Sequence, residues 1–366
     1  MPSPYLEARL ARVRRALAEK EIDALLLTDI DNVGYVSGFT GSTAYALVTP
    51  DEAVFLTDSR YTLRARQECP QFTLAQAAGS GGYPEALTQI FSERPHLKKL
   101  GFEAQRVTVA QWEQLKKDSP AGLEWVATDG LIEALRMIKD ADEVAAIQNA
   151  IAIAEGAWET VKPLLRPGLR ERDFALELDF AMRRAGADGS AFETIVASGA
   201  LGAHPHHSAG DRPLSPGDLV TVDWGASVGG YVSDITRTVG LAPITEQQRA
   251  LHALVLEAQR RAIAAVRPGR TGKEIDAVAR DFLTERGYGE QFGHSLGHSI
   301  GRKVHDGPAL SVRSEKVILE PGMVVTVEPG VYIENWGGIR IEEDVLVTEG
   351  GHEVLTHLPN ELEELG

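Results

Sequence analysis

The chain has 366 residues, with 53 Asp and Glu against 37 Lys and Arg and a formal charge of −16. The length predicts two domains, each able to bury its own core. The acidic balance argues against a nucleic-acid partner, because phosphates bind basic surfaces. The single Cys69 cannot form an internal disulfide. The first twenty residues lack the apolar stretch of a signal peptide, and no segment approaches the ~20 apolar residues of a membrane span. We therefore expect a cytoplasmic protein with no membrane partner.

Residues 1–128 alternate helix-like and strand-like segments and predict an α/β domain. Leu6, Leu10, Val13 and Leu17 mark one helix face, and the apolar run IDALLLTD after them predicts a strand. The later signals are a hairpin in YALVTPDEAVFLTD, a helix in RYTLRARQE, a loop at 79–82, a strand in KLGFEA, a helix from about Thr108 and a strand in GLEWVAT.

We place the domain boundary at 128/129, where a long amphipathic helix is predicted to begin near Asp129. The second domain then covers residues 129–366. The predicted helix ends at Arg166-Pro167-Gly168. Its buried stripe is Ile147, Ile151, Ala154, Trp158, Val161 and Leu165.

The second domain contains an internal repeat. RPG at 166–168 precedes a helical stretch ending at Gly186, and RPG at 267–269 precedes one ending at Gly287. Further on, residues 214–225 and 319–330 both read LxPGxxVTV, then a carboxylate, then xG. A match of this quality predicts two similar halves that face each other across a central axis.

Each copy of the repeat ends its β-branched strand with an acid, Asp223 in the first and Glu328 in the second. Another acid lies beyond each, Asp234 in YVSDITRTV and Glu342 in GGIRIEEDVLV. The Gly-rich stretches between them predict turns that fold each strand pair into a hairpin. Four converging carboxylates would repel one another in a low-dielectric centre, and divalent cations are the partners that offset such repulsion.

The histidines are concentrated in the same domain. Seven of the ten lie between 204 and 305, where even scatter would place about three. One histidine with four carboxylates suits two Mn²⁺, Co²⁺ or Zn²⁺ ions better than a closed structural zinc site. Apart from His252, they are His204, His206, His207, His294, His298 and His305.

With these residues in place, the second domain resembles the pita-bread metallopeptidases. The whole chain resembles their Xaa-Pro peptidase branch, which includes prolidases and aminopeptidases P, and NVGYVSGFTGS and FLTDSRYTLRA resemble a creatinase-like N-terminal domain. The resemblance implies a mixed α/β fold, a homodimer, and two divalent ions, with Mn²⁺ the first expectation. It implies that Asp223 binds one ion, that His298 and Glu328 bind the other, and that Asp234 and Glu342 bridge them.

Three further positions match residues near the family's metal centre. His206 and His305 resemble its substrate-facing histidines, and Arg340 resembles an arginine beside the metals. His294 matches a histidine with a less direct role. His204 and His207 are interpreted as solvated neighbours of His206. The acids after Glu342, Glu343 and Asp344, are interpreted as a solvated charge run.

The resemblance implies hydrolysis of the bond between an N-terminal residue and a following proline. Glu328 is the candidate to accept and pass on the proton of the attacking water, and His206 or His305 would hold the substrate and its oxyanion. Some prolidase-like sequences carry an arginine four residues after the counterpart of His305, where this chain has Ala309. We therefore lean towards an aminopeptidase P.

Several alternatives remain open. A prolidase is possible because Arg302 or Arg313 could bind the dipeptide carboxylate instead. A methionine aminopeptidase would not need the first domain, and phosphotriester hydrolysis could be a side activity. A non-catalytic peptide-binding relative typically loses metal ligands, whereas all five are present here.

Overall fold

The computed structural model describes residues 4–79 and 82–366 of the chain. It divides into two compact units between Arg136 and Met137, later than the predicted 128/129 boundary. The reason lies in the helix that follows residue 129: Ile132 is buried in the core of the first unit, and Arg136 donates to Asn32 Oδ1 at 2.6 Å. These contacts keep that helix with the elements before it.

The first unit is a six-stranded mixed sheet in the order β4-β3-β2-β1-β5-β6. The predicted hairpin is confirmed, because Tyr45 pairs with Leu56 and Val48 with Ala53 in antiparallel register. Of the predicted loop at 79–82, Ser80 and Gly81 lie outside the described residues. The strands are β1 (Ala24–Leu27), β2 (Tyr45–Val48), β3 (Ala53–Asp58), β4 (Thr73–Ala77), β5 (Lys99–Glu103) and β6 (Glu124–Thr128). The helices are α1 (Pro4–Glu19), α2 (Ile30–Ser37), α3 (Thr62–Glu68), α4 (Tyr83–Ser92), α5 (Val109–Asp118) and α6 (Leu131–Met137).

The long helix predicted from Asp129 is interrupted. The helix α6 ends at Met137, and a second helix, α7 (Ala141–Val161), begins after Asp140. Asp140 Oδ1 accepts from the Glu143 backbone N–H, and Glu143 Oε2 accepts from the Asp140 backbone N–H, both at 3.1 Å. This reciprocal cap satisfies two backbone donors and starts the new helix. The buried stripe predicted from Ile147 to Leu165 is confirmed.

The second unit carries its strands in five sheets. The four-stranded sheet has the order β20-β12-β9-β8, and one of the two three-stranded sheets has the order β15-β18-β19. Its other helices are α8 (Glu171–Arg184), α9 (Glu246–Ala265) and α10 (Gly272–Glu285), with 3₁₀ turns at Lys162–Leu164 and Gly199–Ala203. Its first strands are β7 (Gly189–Ser190), β8 (Ile195–Ser198), β9 (Leu219–Trp224), β10 (Ala226–Val228), β11 (Tyr231–Val232) and β12 (Ile235–Leu241). The later strands are β13 (Gly297–His298), β14 (Ala309–Leu310), β15 (Val324–Val327), β16 (Gly330–Ile333), β17 (Gly337–Arg340), β18 (Glu343–Thr348), β19 (Gly351–Val354) and β20 (Glu364–Leu365).

The internal repeat is visible in this architecture. The helices α8 and α10 follow the two RPG segments, and each is followed by a left-handed glycine, Gly186 at φ 109° and Gly287 at φ 85°. Such a glycine closes a helix without steric cost. The strands β9 and β12 pair antiparallel, as do β15 and β18. The Gly-rich stretches predicted as turns are themselves short hairpins, β10–β11 and β16–β17.

Two apolar cores support the second unit. One is built around α7, α8 and β9, where the Trp158 and Trp224 rings stack with centroids 4.7 Å apart. The other is built around α9, α10 and β15. Within residues 4–79 and 82–366, no helix has the length and apolar character needed to cross a bilayer.

Candidate metal centre

The four repeat carboxylates lie where paired strands begin or end. Asp223 is in β9 and pairs with Thr236 of β12, so that Asp234, just before β12, lies on the neighbouring strand. Glu328 follows β15, and Glu342 precedes β18, its antiparallel partner. Each half therefore supplies two carboxylates from adjacent strands, as the hairpin interpretation predicted.

These acids meet His298 at one cavity of about 540 Å³. Asp234, His298 and Glu342 each offer a ligand atom within 4.8 Å of the others. His298 Nε2 also lies 3.4 Å from Glu328 Oε1 and 3.5 Å from Asp234 Oδ2. The sequence-predicted residues that line the cavity are His206, Asp223, Asp234, His294, His298, His305, Glu328, Arg340 and Glu342.

The electrostatics of the cavity favour a bound cation. Burial raises the pKa of Asp234 well above its ordinary value, and the charges of Glu342 and Asp223 raise it further. Burial likewise raises the pKa of Glu328 to about 8. Asp223 Oδ1 is buried without a hydrogen-bond partner among the described residues. An oxygen-rich set with an unsatisfied carboxylate and one imidazole fits divalent ions of the Mn²⁺, Co²⁺ or Zn²⁺ type.

His298 is held in the form that binds metals. Burial, together with the neighbouring His305, lowers the pKa of His298 to about 4, so the imidazole is neutral at pH 7. Thr326 Oγ1 accepts from the His298 backbone N–H at 3.0 Å and donates to Glu328 Oε1 at 3.1 Å. Thr326 thereby aligns two predicted ligands. This role was not predicted, although Thr326 ends the VVT run before Glu328.

Arg340 occupies the predicted position beside the carboxylates. It donates to Asp223 Oδ2 at 2.7 Å, to the Tyr332 hydroxyl at 2.9 Å and to the Pro205 carbonyl at 3.2 Å. The Tyr332 hydroxyl also contacts His294 Nε2 at 2.9 Å, and burial raises the pKa of Tyr332 to about 12. Tyr332 was not predicted as a site residue, even though it ends the VEPGVY motif.

The two substrate-facing histidines of the prediction both face the cavity. His206 is exposed there, on the segment that follows the second 3₁₀ turn. The ring of His305 lies 4.2 Å from that of His298. On the opposite side, Thr236 Oγ1 donates to Glu342 Oε2 at 2.6 Å and fixes that carboxylate.

The interpretation of Glu343 and Asp344 as a solvated charge run is wrong. Glu343 and Asp344 are buried: Glu343 pairs with Arg237 at 3.0 Å, and Asp344 Oδ2 accepts from the Asp234 backbone N–H at 3.2 Å. As consecutive residues of β18 they point to opposite faces of the sheet, and both faces are covered at this position.

The interpretation of His207 as a solvated neighbour also fails. Its Nε2 lies 2.9 Å from the buried carboxylate of Glu171, whereas His204 is exposed as predicted. The lining of the cavity includes Ala309 but neither Arg302 nor Arg313.

Comparison with known proteins identifies the family. The profile of metallopeptidase family M24 matches residues 145–349, and that of the Creatinase/Prolidase N-terminal domain matches residues 9–138. The chain belongs to metallopeptidase family M24. The predicted mixed α/β fold, with a creatinase-like N-terminal domain and a pita-bread second domain, is confirmed by these matches.

Relatives in family M24 match over nearly the whole chain. The Xaa-Pro dipeptidase of Pyrococcus furiosus is 37% identical over 362 residues, covering 98% of this chain and 100% of that protein. The structure of an Xaa-Pro dipeptidase from Bacillus anthracis matches with a TM-score of 0.92 at 40% identity, over 98% of this chain and 100% of that one. An X-Pro aminopeptidase from Thermotoga maritima matches with a TM-score of 0.89 at 38% identity, over 97% and 99%.

Proposed function

We propose that this protein hydrolyses the peptide bond between an N-terminal residue and a following proline, and that its preferred substrates are Xaa-Pro dipeptides. The observation that carries the proposal is the convergence of one histidine and four carboxylates at one cavity of an M24 chain. The prolidase alternative fits the named relatives better than the aminopeptidase P reading does, because Xaa-Pro dipeptidases match in both sequence and structure.

Five residues would hold two divalent ions, with Mn²⁺ the first candidate. They are Asp223, Asp234, His298, Glu328 and Glu342. When bound, such a pair supplies an ionised water and polarises the scissile carbonyl. A binding protein without catalysis would not need this complete ligand set, and a methionine aminopeptidase would not need the Creatinase/Prolidase N-terminal domain.

The chain's own residues do the proton handling and orientation. Glu328, held by Thr326 at 3.1 Å, accepts the proton of the attacking water and passes it to the proline nitrogen as the peptide bond breaks. His206 and His305 face the same cavity and hold the carbonyl oxygen as it becomes negatively charged. Arg340 keeps Asp223 in one orientation through the 2.7 Å contact.

One observation favours the aminopeptidase P reading as a second candidate. A dipeptide selector must neutralise the carboxylate of the proline, and arginine does this best. Arg340 is the one arginine or lysine among the described residues that line the cavity, and it is already bonded to Asp223, Tyr332 and Pro205. Histidines would then have to bind the dipeptide carboxylate.

The deciding experiment is a metal-reconstitution assay across peptide length. The purified chain is stripped with a chelator, reloaded with Mn²⁺, Co²⁺ or Zn²⁺, and assayed with Xaa-Pro and Xaa-Pro-Xaa peptides of the same N-terminal residue. We expect kcat/KM at least about ten-fold higher for the dipeptide. Higher turnover of the longer peptide would establish the aminopeptidase, and no turnover of either would refute the proposal.

Substitution of a ligand checks the site itself. Asp223→Asn should lose metal binding and activity together, because the amide cannot offset the charge of a cation. Asp281→Asn changes an exposed aspartate of α10 in the same way and serves as the control. Full activity of the Asp223→Asn variant would contradict the assignment.

The family resemblance also leads us to propose a homodimer in the cytoplasm. Light scattering of the purified chain should give twice the mass of 39.6 kDa. A mass equal to that of one chain would contradict the dimer without affecting the proposed chemistry.

A further inference from the structure

His206 and His305, the two histidines predicted to face the substrate, lie on loops that occupy equivalent places in the repeat. We define the His206 loop as residues 204–212 and the His305 loop as residues 305–317. The Glu171 backbone N–H donates to the Arg212 carbonyl at 3.1 Å, and the Gly272 N–H donates to the Val317 carbonyl at 3.0 Å. The N-terminus of α8 thus holds the end of one loop, and the N-terminus of α10 holds the end of the other.

The first residues of these two helices differ in kind. Gly272 packs so closely that an added Cβ would lie 2.6 Å from the Ala309 carbonyl oxygen. Glu171, at the equivalent place in the first half, has a completely buried carboxylate instead. The second half therefore holds its loop by backbone packing, and the first half uses a charged group.

The Glu171 carboxylate bonds with two segments of the first half, the end of β8 and the His206 loop. Oε1 accepts from the Ser198 backbone N–H at 2.9 Å and from its hydroxyl at 2.6 Å. Oε2 accepts from the Gly210 N–H at 3.2 Å and lies 2.9 Å from His207 Nε2. Ser198 ends β8, which pairs through Ile195 with Asp223. One carboxylate thus links the His206 loop to the strand beside a predicted metal ligand.

We propose that Glu171 and His207 are positioning residues that fix the His206 loop and thereby orient His206 towards the substrate. The proposal rests on the proposed function for the role of His206 itself. His207 is the next residue along the chain, so its bond to Glu171 limits rotation of the backbone that carries His206. Arg340 holds the residue on the other side through the Pro205 carbonyl. With both neighbours tied to buried charged groups, His206 has little freedom beyond its own side-chain rotation.

Hydrogen–deuterium exchange of the full chain tests the contact without any substrate. In His207→Ala, we expect amides of the His206 loop to exchange about ten-fold faster, as loss of a charged hydrogen bond implies. The His305 loop should be unchanged in the same sample. His204→Ala, an exposed histidine of the same loop, is the matched control. Exchange of the His206 loop at the wild-type rate in His207→Ala would overturn the proposal.

Kinetics then separate positioning from direct substrate contact, since His207 also lines the cavity. We expect His207→Ala to lower kcat/KM about ten-fold, His207→Gln to restore most of it by returning an N–H donor to Glu171, and Glu171→Gln to reproduce the loss. In a His206→Ala background, His207→Ala should cost less than about two-fold more. An equal loss in both backgrounds would show that His207 acts independently and would overturn the proposal.

Failure of the proposed function and failure of the positioning proposal can be distinguished. A wild-type protein that cleaves no Xaa-Pro peptide would refute the proposed function, while the exchange experiment would still decide whether Glu171 and His207 fix the loop.

Discussion

Arg340 Nη2 donates to Asp223 Oδ2 at 2.7 Å across 117 residues of sequence. Both side chains are largely buried, at 5% and 14% exposure. The contact joins the second half of the repeat, which carries Arg340 on β17, to the first half, which carries Asp223 on β9. The orientation of one predicted metal ligand is therefore set by the opposite half of the unit.

Replacement of Arg340 by lysine keeps the charge but removes the planar fork that reaches Asp223, Tyr332 and Pro205 together. A lost charge-assisted hydrogen bond costs about 1.5–3 kcal/mol, so Arg340→Lys should lower kcat/KM by roughly 10- to 150-fold. Peptide hydrolysis with saturating metal measures the effect. Arg94→Lys, which alters a bidentate pair with Glu52 in the first unit, is the matched control and should leave activity unchanged. Wild-type kcat/KM for Arg340→Lys would contradict the positioning argument.

Gly297 and Gly293, two of the three glycines of GHSLGHSIG, should differ sharply in their tolerance of substitution. A Cβ at Gly297 would lie 2.0 Å from the Thr326 carbonyl oxygen, whereas one at Gly293 meets no atom within 4 Å. We expect Gly297→Ala to displace the strand that carries His298 and to lower both the unfolding midpoint and the metal content. Gly293→Ala should change neither. Calorimetry and metal analysis of the two variants provide the check, and equal behaviour would refute it.

Much of the site was predictable because its chemistry is carried by short motifs. Asp223 and Glu328 stand at matching places in two copies of one pattern, and that symmetry revealed a shared centre. Tyr332, Thr326 and the Glu171–His207 pair were missed because their roles depend on contacts with residues that a linear pattern does not bring together. His207 looks solvated in sequence, and only the fold shows the buried carboxylate beside it.

The fold was predictable to a similar degree. The hairpin around Pro50 and the two RPG-led helices followed from local signals. The compact units divide at 136/137 and not at the predicted 128/129, because tertiary contacts of Ile132 and Arg136 keep α6 with the first unit although the helical pattern after Asp129 is continuous in sequence. Tertiary packing and the Asp140 cap override the apparent continuity of the pattern.

His252 on α9 should make the chain sensitive to acid. It is 2% exposed, and burial lowers its pKa from 6.5 to about 4; Glu361 acts against this shift and Arg237 adds to it. In the unfolded chain His252 therefore binds a proton near pH 6.5, whereas in the folded chain it binds one only near pH 4. The stability this histidine contributes is present above pH 6.5 and is lost as the pH falls, by about 2 kcal/mol between pH 7 and pH 5.

Urea unfolding of wild type and His252→Gln at pH 7 and pH 5 measures that contribution. The glutamine variant should lose about 2 kcal/mol less than wild type over this interval. His357→Gln, an exposed histidine, should follow wild type. An identical pH response of His252→Gln and wild type would show that His252 does not cause the loss of stability in acid.

Ala309 offers a way to alter peptide-length preference. It lines the cavity at the start of β14, and an arginine there would bring a positive charge towards the end of a bound dipeptide. Ala309→Arg should raise the ratio of kcat/KM for Xaa-Pro over Xaa-Pro-Xaa by about ten-fold, the effect of one charge-assisted bond. Ala309→Met adds length without charge and should leave the ratio unchanged. If Ala309→Arg has the same kcat/KM ratio as wild type, position 309 does not contact the dipeptide carboxylate.

The convergence of the four repeat carboxylates has an expected consequence for the lifetime of the protein. Their mutual repulsion opposes folding until cations offset it, so ion binding and folding of the second unit are thermodynamically linked. An ion present at a hundred times its Kd adds about 2.7 kcal/mol to the free energy of unfolding. We therefore expect chains made under ion starvation to open more often and to be digested sooner. On this expectation, ion supply would set the abundance of the protein as well as its activity.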